Sequence, residues 1–154
     1  MNGSNPRSTV QFMGHPIHPA IVSYPIAFFT GAFLSDLAFL FLHDSFWATA
    51  SFWLLVAGLV TAAAAALAGL TDFFGDSRIR ALSDARMHMI GNVTAVLVEA
   101  VNLYLRLHDH EGPISSPGVY LSGVAFLILG FTGWKGGELV FRHRVGVVDS
   151  DGAV

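Results

Sequence analysis

Four long stretches of the chain are almost wholly apolar, and the polar residues collect between them. The first runs from Ala20 to Leu42 and is interrupted only by Asp36. The second, Phe46 to Leu70, holds 25 residues without a charge. The third, Met87 to Leu105, is weaker and carries His88, Asn92, Glu99 and Asn102. The fourth, Ile114 to Trp134, is 21 residues without a charge. About 20 apolar residues in a helix cross the hydrocarbon of a bilayer. None of the runs alternates with the period of a strand, and in lipid only helices and closed barrels satisfy the backbone. The pattern therefore predicts an all-α integral membrane protein, an up-down bundle of four helices over about 19–42, 46–70, 87–106 and 117–138, in one domain covering 1–154.

The connectors support that reading. His43-Asp44-Ser45 joins the first two helices, Arg106 to Pro113 joins the last two, and only Thr71 to Arg86 has room for structure of its own. No low-complexity segment and no convincing repeat stands out, and Asp149 to Val154 reads as a polar tail. The first run is too long for a cleaved signal peptide, and further spans follow it.

Composition says why water is the wrong solvent. Charged residues make up 12% of the chain against 53% apolar, about half the charge of an average soluble domain. There is no cysteine, which removes disulfides, thiolate metal sites and cysteine nucleophiles. A net charge of −3 without a basic patch argues against nucleic acid as a partner. With four spans, both termini and the Thr71–Arg86 loop share one side. That side holds Arg7, Arg78, Arg80, Arg86, Lys135, Arg142 and Arg144, and the other holds only Arg106. The positive-inside rule then predicts a multi-pass membrane protein with both termini cytoplasmic.

Sorting the polar residues by side gathers His15, His18, His88 and His143 at the predicted cytoplasmic end, with Asp72, Asp76, Arg86 and Glu138. His43, His108 and His110 fall in the opposite loops. In His15-Pro16-Ile17-His18-Pro19 two prolines stiffen the backbone that carries two imidazoles, and Pro19 can open the first helix. On the third helix His88, Asn92, Ala95, Glu99, Asn102 and Arg106 keep to one stripe, which should face the bundle interior. That stripe reads either as a hydrogen-bonded seam that holds helices together or as part of a functional interior. Glu99 is about 16 Å deeper than His88 at the rise of a helix, where a carboxyl must be protonated or paired.

Asp36 follows His18 by 18 residues and Arg106 follows His88 by 18, so both should lie about 27 Å from the histidine end. The equal spacing predicts a structural Asp36–Arg106 ion pair near the far face. Gly58, Ala62, Ala65, Ala66 and Gly69 on the second helix and Gly130, Gly133, Gly136 and Gly137 on the fourth mark close packing. Alternatively, Gly130 and Gly133 leave room for a flat cofactor.

The chain resembles the predicted bacterial membrane proteins grouped as domain-of-unknown-function family 2231. The likeness rests on HPIHPAIVSYPIAFFTGAF (His15 to Phe33), GLTDFFGD (Gly69 to Asp76), Arg86 with His88 and Asn92, and GGELVFRHRVGV (Gly136 to Val147), in order along almost the whole chain. The resemblance implies a four-helix membrane protein without an assigned activity. Relatives joined to Rieske or cytochrome-type redox domains imply electron-transfer chemistry, and no catalytic role comes with the family.

Three functions fit these residues. The first is a b-type haem protein, an electron-transfer component of an oxidoreductase with a redox protein as partner. His18 and His88 would be axial ligands from diagonal helices, and His15 and His143 would stand around them or bind a second haem. Arg86 and Arg142, with Arg78, Arg80 and Arg144, would hold the propionates. The second is a non-haem zinc, copper or iron site made by His15, His18, His88 and His143, with Asp72 or Glu138 ligating or orienting. The third is a cofactor-free accessory subunit of a membrane complex, with Glu99 serving packing or proton movement. Homo-oligomerisation stays open under all three. No serine nucleophile motif and no phosphate-cradling loop points to hydrolase chemistry.

Overall fold

The computed structural model describes residues 5, 6 and 8–147. The expected tail and Arg7 lie outside the described residues. A two-residue antiparallel ribbon, β1 (Gln11–Phe12) with β2 (His15–Pro16), leads into a short helix α1 (Ile17–Ile21). The four long helices are α2 (Ser23–Leu42), α3 (Ser45–Gly75), α5 (Ser83–Leu105) and α6 (Val119–Phe141), with a short α4 (Ser77–Ala81) between α3 and α5. A kinked segment, Ile114–Gly118, in which Ser116 is extended (φ −171°, ψ 129°), precedes α6.

All four spans are long and apolar enough to cross a membrane, taking α1 with α2 and the kinked segment with α6. The protein is an all-α membrane bundle. Its interior combines small residues, two polar clusters and one apolar layer, and its outside is large and apolar. Ala32, Ala48, Ala95 and Ala125 are fully buried, whereas Phe41, Leu67, Tyr104 and Leu127 stand at least 70% exposed. Small residues inside let helices approach where lipid gives no hydrophobic drive between them.

Local chemistry fixes the ends. The Asp44 carboxylate caps α3 by accepting the N–H of Phe46 at 2.9 Å, and Asp76 caps α4 through the N–H of Arg78 at 2.8 Å. His43 closes α2 in the left-handed region, φ 54°, with its N–H on the Phe39 carbonyl at 2.8 Å. Several boundaries differ from the sequence pattern, α6 among them, which runs Val119–Phe141 rather than 117–138. α3 continues past Leu70 to Gly75, because Thr71, Phe73 and Phe74 prolong it to the Asp76 cap. α5 opens at Ser83 rather than near Met87, one turn earlier, with Asp84 in its first turn beside the helix N-terminus. The first helix begins at Ile17 rather than Pro19 and is interrupted at Val22, so His18 lies inside α1.

α2 packs on α3 and α5 on α6, and α2–α6 and α3–α5 contacts close the ring. Two helical hairpins thus stand side by side, with α2 and α5 across a diagonal. An apolar layer of Phe29, Leu55, Ala62, Ala95 and Leu129 fills the middle. It separates a polar cluster at the histidine end from another at the Arg106 end. Over the histidine end the first and last described segments lie together. Asp72 clamps the incoming strand by accepting from the Ser8 hydroxyl at 2.9 Å and from the N–H groups of Thr9 and Val10 at 2.6 and 3.0 Å, and the Gly146 N–H donates to the Pro6 carbonyl at 2.9 Å.

Candidate functional site: a diagonal histidine pair and a buried ionic network

His18 and His88 meet. Their ring centroids are 6.0 Å apart with the planes perpendicular. Each ring is held the same way. His18 Nδ1 donates to the Ala65 carbonyl on α3 at 2.8 Å, and His88 Nδ1 donates to the Thr132 carbonyl on α6 at 2.8 Å. A carbonyl only accepts, so Nδ1 carries the proton and Nε2 the lone pair in the neutral ring. Four residues beyond each carbonyl stands a glycine. A Cβ at Gly69 would fall 2.8 Å from His18 Nδ1, and one at Gly136 would fall 3.0 Å from His88 Cε1. His88 Nε2 accepts from the Asn92 amide at 3.1 Å, and Asn92 is fixed in turn by the Thr132 hydroxyl at 2.9 Å.

The other two candidate histidines are engaged elsewhere. His15 is exposed on the ribbon, with Nδ1 on the Met13 carbonyl at 3.0 Å. His143 donates Nε2–H to Asp84 at 2.9 Å, and Lys135 shares that carboxylate at 2.8 Å. Among the described residues no three His, Asp or Glu side chains gather as a metal site, so the expected quartet resolves into one pair and two separate rings. The cause is local: the ribbon places His15 on the lid, and Asp84 in the early first turn of α5 captures His143. Arg86 is exposed at the same end, and Arg142 is bonded to Glu138 one helical turn away at 3.1 Å. Asp72 is committed to the N-terminal clamp. Gly130 and Gly133 face open space and line an apolar hollow of about 320 Å³ with Ile26, Thr30 and Phe131, on the α2–α6 side and away from the histidines.

The second cluster is fully enclosed. Arg106 grips Asp36 with two nitrogens, at 2.6 and 2.8 Å, as the equal spacing predicted. Ser51 on α3 donates to one carboxylate oxygen at 2.6 Å and Ser122 on α6 to the other at 2.7 Å. Asn102 accepts from Arg106 Nε at 3.0 Å and donates to Ser122 at 2.8 Å and to Glu99 Oε2 at 2.9 Å. All six side chains are 0% exposed. Glu99 Oε1 has no hydrogen-bond partner among the described residues.

A family model described as predicted membrane proteins, DUF2231, matches residues 14–149. The chain belongs to the DUF2231 family. The matched region carries both histidines of the pair and the whole ionic network. No curated protein and no solved structure matches the chain. In this DUF2231 chain the polar stripe of α5 is divided between the two clusters, with His88 and Asn92 in one and Glu99, Asn102 and Arg106 in the other. The sequence did not reveal the two glycine seats, the Thr132 anchor, or the Asp84–Lys135–His143 cluster. Ser51 and Ser122 were legible only as lone hydroxyls in apolar spans, which tend to bond across helices.

Proposed function

We propose that the protein is a membrane-embedded electron carrier in which His18 and His88 hold a b-type haem. The supporting observation is the matched anchoring of two imidazoles from diagonal helices. With each Nδ1–H tied to a carbonyl, each Nε2 is the nitrogen left to bind a metal, and the second bond sets its basicity and direction. Ligand count favours haem over a bare ion. Haem iron needs only axial groups from the protein, whereas a structural zinc takes four ligands. The two rings, 6.0 Å apart between centroids, would hold the iron through their Nε2 atoms. For His88 Nε2 to bind, Asn92 would have to release it. Exposed Arg86 is the nearest basic choice along α5 for a propionate. When bound, haem would supply a one-electron couple; the chain's own part is to fix the two rings and exclude water from the side facing the apolar layer. The arginine-rich histidine end is the cytoplasmic face in this reading, in a bacterial inner membrane.

The visible spectrum of the purified protein, oxidised and dithionite-reduced, tests it. A Soret band is expected, lost in His18→Ala and in His88→Ala and kept in His43→Ala, His108→Ala, His15→Ala and His143→Ala. A colourless protein that carries stoichiometric zinc, copper or iron overturns haem in favour of a bare ion at the pair. A colourless, metal-free, folded protein overturns both and leaves an accessory subunit.

A further inference from the structure

The hydrogen-bond polarity of the buried network can be worked out from Arg106, which only donates. Asn102 must turn its oxygen to Arg106 Nε, so its amide N–H groups face Ser122 and Glu99 Oε2. Ser122 therefore receives from Asn102 and gives its own proton to Asp36. Ser51 receives from Arg106 and gives its proton to the other Asp36 oxygen. Both Asn102 N–H groups are then spent, and Glu99 Oε2 accepts one of them.

Charge follows the same path. The Arg106 guanidinium is matched by Asp36 in a two-nitrogen grip. Around Glu99 the charged groups are Asp36 on α2 and Arg106 on its own helix, while α3 and α6 bring to the network only the hydroxyls of Ser51 and Ser122. An ionised Glu99 would add an unmatched negative charge inside the bilayer, which the alternative of protonation avoids. The proton then sits on Oε1, the one buried side-chain atom without a partner among the described residues.

We propose that Glu99 is a proton-binding site that exchanges its proton with water from the Arg106 end of the bundle. Toward the histidine end the next inward position is Ala95, packed with Phe29, Leu55 and Leu129 in a dry layer. Toward the other end stand Asn102 and Arg106, one and two turns away, and then the α5–α6 connection. The site goes beyond the haem reading and does not depend on it.

Infrared spectroscopy of the full chain in lipid vesicles at neutral pH decides the matter, because exposed carboxyls are then ionised. The expected result is a carbonyl-stretch band of a protonated carboxyl that moves down in deuterium oxide and disappears in Glu99→Gln. His18→Ala leaves the band in place. Asp36→Asn, by freeing Arg106 to pair with Glu99, abolishes it; if that variant does not fold, the Glu99→Gln comparison stands alone. Absence of the band in the wild-type chain, its survival in Glu99→Gln, or its indifference to deuterium oxide overturns the proposal.

Discussion

In an α-helix the residue four places after a carbonyl shadows that carbonyl's flank, so a side chain there blocks a visitor from a neighbouring helix. Glycine at positions 69 and 136 removes the obstruction and lets the His18 and His88 rings lie against bare backbone while reaching Ala65 and Thr132. The contrast with Gly130 and Gly133, where a Cβ would meet nothing within 4 Å, gives a paired prediction. Gly130→Ala and Gly133→Ala should hold or raise thermal stability in detergent by up to about 1 kcal/mol, the usual gain on replacing a helical glycine. Gly69→Ala and Gly136→Ala should forfeit that gain and lose roughly 1–3 kcal/mol more, because the added methyl drives a pinned ring off its carbonyl. Imidazole nitrogen chemical shifts should report the lost Nδ1 bond in the second pair of variants and stay unchanged in the first.

At the scale of the element, the connection after α5 is shaped by one carboxylate. Asp109 accepts the N–H groups of Glu111 at 3.0 Å and Gly112 at 3.2 Å, and these bonds, Gly112's first, hold its pKa below the ordinary carboxylate value. A lowered pKa means that the turn is stabilised above the unfolded value of about 3.9 and that this is lost as pH falls through the folded value. The protection factors of the Glu111 and Gly112 amides should therefore be flat from neutral pH down to about 4 and fall only in stronger acid. Asp109→Ala should abolish the bend in that profile. Elements of this kind also mark what the sequence could reveal. Helix number, the diagonal His18–His88 relation and the Asp36–Arg106 pair were legible because helical rise converts spacing into depth. The fate of His15 and His143 was not, because it turns on a two-residue ribbon and on whether α5 starts at Ser83 or a turn later. One turn of extra helix places Asp84 under His143, and hydropathy does not register a turn that polar.

On the scale of the whole molecule the two hairpins repeat one plan. Each begins with a histidine that reaches a carbonyl and a glycine four residues later on its partner helix. Each places an ionisable residue 18 positions on, Asp36 in the first and Arg106 in the second, and each supplies one serine, Ser51 or Ser122, to the same carboxylate. The sequence hides the repeat because the accepting carbonyl lies 47 residues from its histidine in one hairpin and 44 in the other, and because the equivalent charged positions carry opposite signs. Opposite sign is what bolts the halves together, since Asp36 receives hydrogen bonds from α3, α5 and α6 while standing on α2. A buried pair of this kind is costly to break and cheaper to replace whole. Asp36→Leu or Arg106→Leu alone should destabilise the detergent-solubilised bundle by about 3–5 kcal/mol, because each leaves one unmatched charge in the interior. The double variant should recover much of that loss, so that a double-mutant cycle read from reversible unfolding gives a coupling at least as large as one single loss, about 3–5 kcal/mol or more. Additive losses would mean that the ion pair contributes nothing to joining the hairpins, and the apolar layer alone would then have to hold the two halves in register.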